Sequence, residues 1–117
     1  MKNDHAVSAL AALAQENRLD VFRLLVQAGP EGMPAGAVAA ALKLAPNTLT
    51  FHFDRLREAG LVTVRRDGRS MIYAARFEVM NDLLGFLTEN CCQGAMDTCA
   101  PAVCKPSRSK RTKGAVS

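Results

Sequence analysis

Four cysteines near the C-terminal end are the residues whose types and spacing point most directly to chemistry. Cys91 and Cys92 are adjacent, and Cys99 and Cys104 follow a short distance along the chain. Thiolates are the ligands that soft metal ions prefer in proteins. The cluster therefore predicts a soft-ion site, and a bound ion there would tie the end of the preceding helix to the tail that follows it.

The chain of 117 residues is long enough for one domain with a single hydrophobic core. Its first residues include Asp4 and His5, where a signal peptide needs a basic start and an apolar run, and no apolar stretch is long enough to span a membrane. We therefore expect a cytoplasmic protein with reduced cysteines and no disulfide framework. Paired carboxylates, a nucleophile constellation and a glycine-rich phosphate loop are all missing, so we expect neither enzymatic activity nor an organic cofactor.

The net charge of +4 is distributed unevenly along the chain. Residues 101–117 carry five basic residues and no acidic one, and the remainder of the chain is close to neutral. Within that remainder, residues 52–76 combine six arginines with only three acidic residues, so a phosphate backbone would be contacted there. The six arginines are Arg55, Arg57, Arg65, Arg66, Arg69 and Arg76.

Apolar residues spaced three and four apart predict two short amphipathic helices near the N-terminus, both facing the core. The second should stop at Gly29-Pro30, since glycine and proline end helices. Proline is accepted in the first turn of a helix, so a third helix is predicted from Pro34 through Leu42. The residues that mark the first two helices are Val7, Leu10, Ala11 and Ala14, then Leu19, Phe22, Leu25 and Val26.

A fourth helix is predicted between Pro46, which suits the first helical turn, and Gly60, which suits a left-handed residue after the last turn. Its apolar face consists of Leu49, Phe53 and Leu56, which are four and three residues apart. The opposite face is polar apart from one aromatic residue and is a candidate for reading a DNA groove. The residues of that face are Asn47, Thr50, Phe51, Asp54, Arg55 and Glu58.

Two strands joined by a tight turn, and then a fifth helix, are predicted for the chain after the fourth helix. The segment LVTVRR leads to Asp67-Gly68 and then to RSMIYAA, which is a hairpin signal with three arginines near the turn. The fifth helix has a seam of apolar residues at alternating spacings of three and four, which packs against the chain's own core or against a second copy. The seam consists of Phe77, Met80, Leu84, Leu87 and Cys91.

This order of helix, turn, helix and arginine-tipped hairpin is that of a winged helix-turn-helix module, which is mainly α with a β-hairpin. Residues 42–74, LKLAPNTLTFHFDRLREAGLVTVRRDGRSMIYA, resemble the recognition helix and wing of the ArsR/SmtB family of metal-responsive repressors. Residues 10–29, LAALAQENRLDVFRLLVQAG, resemble the first two helices of that family. The resemblance implies a DNA-binding and dimerisation domain over residues 1–92. The proline, serine, lysine and arginine content beyond Ala100 predicts that residues 93–117 form a flexible, basic, cysteine-containing tail.

The resemblance also implies a homodimer that binds operator double-stranded DNA. Ala45 stands where the family usually starts the recognition helix with serine, so helix capping is expected to be weaker, and Phe51 stands where histidine is common. The implied DNA contacts are Asn47, Thr48, Thr50, Phe51, His52, Arg55, Arg65, Arg66 and Arg69. The implied dimer interface consists of Val7, Leu10, Phe77, Met80, Leu84 and Leu87.

Most of the family's metal sites do not transfer to this chain. The third helix, PAGAVAAALKL, lacks the cysteines that many arsenic and cadmium sensors carry there, and the last helix lacks the Asp/His pattern of the zinc sensors. A subset of arsenic sensors instead has a vicinal cysteine pair at the end of the last helix and a third cysteine in the tail. Cys91, Cys92 and Cys99 resemble that arrangement, with Cys104 as an alternative third ligand.

The preferences of the ions favour the same interpretation. Trivalent arsenic and antimony take three thiolates in a pyramid, whereas Zn²⁺ needs four ligands arranged as a tetrahedron. We therefore predict a transcriptional repressor that leaves its operator when As(III) or Sb(III) binds these cysteines. Two alternatives stay open: a redox sensor in which Cys91 or Cys92 forms a disulfide with Cys99, and a winged-helix protein that senses or structurally binds Zn or Cd.

Overall fold

Five helices and three short strands make up residues 1–90, the part of the chain that the structure, a computed structural model, describes. This is the predicted winged helix-turn-helix arrangement with one additional strand. One structural unit spans Met1–Leu83, and a second unit begins at Leu84, within the last helix. The elements are α1 (Asn3–Leu13), α2 (Glu16–Ala28), β1 (Met33–Pro34), α3 (Ala35–Leu42), α4 (Pro46–Glu58), β2 (Val62–Asp67), β3 (Ser70–Ala75) and α5 (Phe77–Leu87).

The helix ends follow local sequence signals. Pro46 is the first residue of α4, and Gly60, with φ +78°, lies just beyond its end, as predicted. Gly29, with φ +87°, ends α2 at the predicted position. The third helix differs slightly, because Pro34 is the residue before α3 and not part of its first turn, and Lys43 with φ +57° ends the helix. Within residues 1–90, no helix has the length and apolar character needed to cross a lipid bilayer.

The core-facing side of α1 differs from the prediction. Ala6 and Ala9 are buried, whereas Val7 and Leu10 are exposed, so the expectation that the larger apolar residues of this helix face the core is wrong. Helix α1 contacts α2 and α4. Small alanine side chains let the helix backbone come close to these neighbours, which leaves the larger side chains on the outer surface. Leu19 at the start of α2 is also exposed.

The remaining core residues of α2 and α4 are those that the apolar spacing indicates. Leu49, Phe53 and Leu56 of α4 are all buried, as predicted. The ring of Phe53 stacks on the ring of Tyr73 in β3, with centroids 3.6 Å apart and an interplanar angle of 2°. This stack fixes α4 against the hairpin, so the two elements that carry the candidate DNA contacts share one core.

The sheet contains three antiparallel strands in the order β1-β3-β2. Sequence reasoning missed β1, which is two residues long and pairs Met33 with Tyr73 and Pro34 with Ile72. Proline is tolerated there because β1 is an edge strand. Gly32 precedes the strand with φ +75°, and a Cβ at this position would collide with the backbone carbonyl of Tyr73. The close approach of the two backbones therefore requires glycine.

The hairpin turn lies one residue later than predicted. Asp67 pairs with Ser70, so the two turn residues are Gly68 and Arg69 and not Asp67-Gly68. Gly68 has φ +64°, and Arg69 has no positive φ. A glycine with positive φ at the first of two turn residues is typical of a type II′ turn, whose twist matches that of the strands. The turn places an arginine at the tip of the wing.

Candidate nucleic-acid interface

Helix α4 exposes its predicted polar face because the opposite face is fixed in the core. Asn47, Thr48, Thr50, Phe51 and Arg55 are all exposed. The N-terminal part of this face has no acidic residue, and the first turn of a helix carries free backbone N–H groups that favour phosphate. This end of α4 is therefore suited to contact a phosphate backbone and the base edges beside it.

The start of α4 has no side-chain cap, as predicted from Ala45. Ala45 has an extended backbone but no oxygen that could accept a hydrogen bond from the first turn. The hydroxyl of Thr50 donates to the carbonyl of Pro46 over 2.9 Å, which uses its proton within the helix. The Thr50 oxygen can still accept a hydrogen bond from a base or from water.

His52 lies on the inner side of α4, in contrast to the other residues implied as DNA contacts. Its side chain is only 5% exposed, and Nδ1 lies 3.5 Å from Nη1 of Arg18 in α2. Arginine can only donate, so Nδ1 is the acceptor and the imidazole is neutral. Burial, and secondarily the charge of Arg18, lower the pKa of His52. Its burial argues against a direct contact of this side chain with DNA.

Arg18 is a residue that the sequence reasoning did not single out. Its Nε donates to the carbonyl of Ala12 at the end of α1 over 2.7 Å, and its other end faces His52. One side chain therefore connects α1, α2 and α4. Arginine is rarely buried without such partners, but one of the two partners is a backbone carbonyl and the other, His52, lies 34 residues away, so the sequence carried no signal.

Phe51 and Arg55 form a pair on the exposed face of α4. The guanidinium carbon of Arg55 lies 5.3 Å from the centroid of the Phe51 ring, within the range of a cation–π contact. Nη2 of Arg55 also lies 3.3 Å from Oε2 of Glu58. Both side chains of the pair remain accessible to solvent, so they can also contact a partner molecule.

The three wing arginines differ in their surroundings. Arg65 donates from Nη2 to the carbonyl of Glu31 over 2.9 Å, which ties β2 to the loop before β1. Arg66 donates from Nε to the carbonyl of Gly68 over 3.3 Å, and Arg69 lies in the turn itself. All three are exposed. The arginines nearest the tip, Arg66 and Arg69, are therefore the best placed to contact phosphate, and Arg65 has a structural partner as well.

The residues implied as a dimer interface fall into two groups. Phe77 and Met80 at the start of α5 are half-buried. Val7, Leu10, Leu84 and Leu87 are exposed, with 49% of Leu84 and 55% of Leu87 accessible. Val7 and Leu10 belong to the unit Met1–Leu83, and Leu84 and Leu87 to the unit that begins at Leu84.

The four cysteines, Cys91, Cys92, Cys99 and Cys104, lie outside the described residues. Among residues 1–90, no group of three or more histidine, cysteine, aspartate or glutamate side chains is arranged to hold a metal ion. The soft-ion site therefore stays a prediction from the sequence.

Comparison with known proteins connects this geometry to a family. A family model described as a helix-turn-helix domain matches residues 13–65. The HTH-type transcriptional regulator YceK of Bacillus subtilis is 36% identical over 77 residues, which are 65% of this chain and 76% of YceK. The fold is similar to that of an ArsR-like transcriptional regulator from Rhodococcus sp. RHA1, with a TM-score of 0.64, 26% identity, and coverage of 72% of this chain and 76% of that one.

A second similar structure is the homodimeric winged helix-turn-helix DNA-binding domain of Mb0332 from Mycobacterium bovis. It matches with a TM-score of 0.57 and 25% identity over 73% of this chain and 83% of that one. The matched residues 13–65 contain α2, α3, α4 and the first part of β2, and therefore include the exposed polar face of α4. The chain therefore belongs to the ArsR-like winged helix-turn-helix transcriptional regulators, and it is a DNA-binding protein.

Proposed function

We propose that this chain is a cytoplasmic, homodimeric repressor that leaves its operator when trivalent arsenic or antimony binds Cys91, Cys92 and Cys99. Cys104 is the alternative third ligand. The observation that carries the proposal is the position of the cysteine cluster in the sequence, which begins four residues after the end of the helix with exposed Leu84 and Leu87. An ion bound there acts on the same helix that a second copy of the chain would cover.

The DNA-binding half of the proposal is supported by α4 and the wing. The exposed polar face of α4, from Asn47 to Arg55, lies in the major groove, and Arg66 and Arg69 contact the phosphates beside it. In a symmetric dimer two copies of α4 read half-sites about one helical turn of DNA apart. A small change in the angle between the two subunits moves the helices out of register with those half-sites.

Dimerisation is supported by the exposed apolar residues of α1 and α5. The removal of Leu84 and Leu87 from water stabilises a dimer by the hydrophobic effect, and Val7 and Leu10 add further apolar surface. The homodimeric state of Mb0332 favours the same assembly for this chain. We infer that α1 and α5 of each subunit form the interface.

The choice of inducer rests on the chemistry of the ligands. Two adjacent cysteines and one more in the tail supply three thiolates, which is the number that As(III) and Sb(III) prefer. Binding free energy released at this site biases the angle between the subunits. A coupling of roughly 1–3 kcal/mol between the two sites weakens DNA binding on the order of 5- to 150-fold.

A titration with three inducers tests the proposal against its alternatives. Full-length reduced protein is bound to an operator selected from random duplex DNA and titrated with arsenite, Zn²⁺ and hydrogen peroxide. The proposal predicts release by arsenite at concentrations at which the other two have no effect. Release by peroxide alone would indicate a redox sensor, release by Zn²⁺ alone a zinc sensor, and no release by any of them would refute the cysteine cluster as an inducer site.

A further inference from the structure

Phe51 is an exposed aromatic side chain on the polar face of α4. Its side chain is 53% accessible, although phenylalanine is among the residues most often found inside proteins. Asn47, Phe51 and Arg55 follow one another at intervals of four residues, so they lie along one stripe of the helix. The stripe lies opposite the buried residues of α4. The aromatic ring therefore lies within the surface that faces DNA, and it does not belong to the core.

The ring of Phe51 has two neighbours. The Arg55 guanidinium lies 5.3 Å from its centroid, and the ring of His52 meets it edge-on, with centroids 5.6 Å apart and an interplanar angle of 61°. His52 is buried and so gives the ring a fixed support. Glu58 in turn holds the guanidinium of Arg55 over 3.3 Å. These contacts favour one arrangement of the pair before a partner arrives, which reduces the entropy lost on binding.

The chemistry of the pair selects the bases it can recognise. In the major groove, the thymine C5-methyl group is the one apolar feature of a base edge, and an aromatic side chain can contact it. Arginine donates two hydrogen bonds to O6 and N7 of guanine, which is the commonest specific contact. Four residues of helix rise about 6 Å, which is close to two base steps of roughly 3.4 Å.

We propose that Phe51 and Arg55 are specificity-determining residues that read a thymine and a guanine one or two base pairs apart in each half-site. The inference rests on the DNA-binding half of the proposed function and is independent of the inducer. Phe51 contacts the thymine methyl group, and Arg55, aligned by Phe51 and Glu58, donates to the guanine. If the stripe contacted a protein and not DNA, replacing thymine by uracil would not change the affinity for DNA, and the following experiment tests this.

The experiment uses thymine and uracil, which differ only in the methyl group. The full-length protein first selects its preferred sequence from random duplex DNA. Each thymine of the selected half-site is then replaced by uracil, and the affinity is measured by fluorescence anisotropy for the wild type, Phe51→Ala and Phe51→Leu. Leu19→Ala, which removes another exposed apolar side chain from outside α4, is the matched control. Circular dichroism verifies that each variant is folded.

We expect one thymine at which uracil weakens wild-type binding about 4-fold per half-site, the value for one buried methyl-sized group. Phe51→Ala should bind the thymine and uracil duplexes equally, whereas Phe51→Leu and Leu19→Ala should still distinguish them. Arg55→Ala should lose its preference at a guanine nearby. The inference is overturned if a sequence is enriched but no uracil replacement changes the affinity, or if uracil weakens Phe51→Ala as much as it weakens the wild type. The proposed function would stand in either case. If no sequence is enriched at all, the DNA-binding half of the proposed function fails together with the inference.

Discussion

Gly32→Ala should destabilise this protein more than a change at any other glycine of the wing region. Two costs add at this position. The backbone has φ +75°, which costs a residue with a Cβ roughly 1–2 kcal/mol, and the new methyl group collides with the Tyr73 carbonyl. Relief of such a collision by movement of the backbone typically costs about 1–3 kcal/mol more. The free energy of unfolding should therefore fall by about 2–5 kcal/mol in total.

Two other glycines separate these costs. Gly68 also has positive φ, +64°, but nothing lies within 4 Å of the position of its Cβ, so Gly68→Ala should cost only about 1–2 kcal/mol. Gly36 lies in α3 with ordinary φ and open space, so Gly36→Ala should stabilise the protein by roughly 0.5–1 kcal/mol.

Urea unfolding followed by circular dichroism measures all three variants. With a slope of about 2 kcal/mol per molar urea, Gly32→Ala should lower the midpoint by roughly 1–2.5 M. Because β1 pairs with β3, the same variant should also loosen the base of the wing. If Gly32→Ala is no less stable than Gly68→Ala, the close approach of the backbone before β1 to Tyr73 does not exist and the register of this edge strand is wrong.

Three further predictions concern DNA binding, assembly and pH. Arg69→Ala should weaken binding to all DNA sequences and reduce the slope of log affinity against log salt by about 0.9 per half-site. Arg65→Ala should change that slope less, because the Arg65 guanidinium already binds the Glu31 carbonyl. Equal effects of the two substitutions would contradict the assignment of the wing tip. Leu87→Asp removes a half-exposed leucine from each subunit, and this loss alone should weaken dimerisation by about 10- to 100-fold. Burial of the new charge should weaken the dimer further, and analytical ultracentrifugation measures the total effect. An unchanged dimer would place the interface elsewhere. The pKa of His52 is lowered in the folded state, so the unfolded chain binds more protons, and the free energy of unfolding should fall as the pH drops below about 6.5. His52→Gln should lose this part of the pH dependence. The same pH profile in both proteins would show that His52 is not buried as a neutral ring.

Local signals in the sequence were sufficient to predict most of α4. Pro46 and Gly60 mark its ends through their own backbone preferences, and the spacing of Leu49, Phe53 and Leu56 identifies its buried face. The exposed contacts of α4 then follow from geometry, because the opposite face must meet solvent. These features depend on residues within a few positions of one another.

Features that depend on distant partners could not be predicted. Strand β1 exists because it pairs with β3 almost forty residues later, and two residues that include a proline carry no periodic signal. The buried face of α1 consists of alanines, which do not stand out beside Val7 and Leu10. The burial of His52 depends on Arg18, which approaches it from another helix. The sequence alone therefore predicts a DNA contact at His52, whereas the structure buries it.

The response of four cysteine variants to arsenite tests the central claim most directly. Each full-length, reduced variant is bound to a fluorescent operator, and its release by arsenite is followed by anisotropy. Cys91→Ser, Cys92→Ser and Cys99→Ser should bind the operator as the wild type does and should no longer respond, because two thiolates are left for an ion that prefers three. Cys104→Ser should respond like the wild type. If Cys99→Ser is released normally and Cys104→Ser is not, the third ligand is Cys104, and if all four variants are released like the wild type, the cysteines do not form the inducer site.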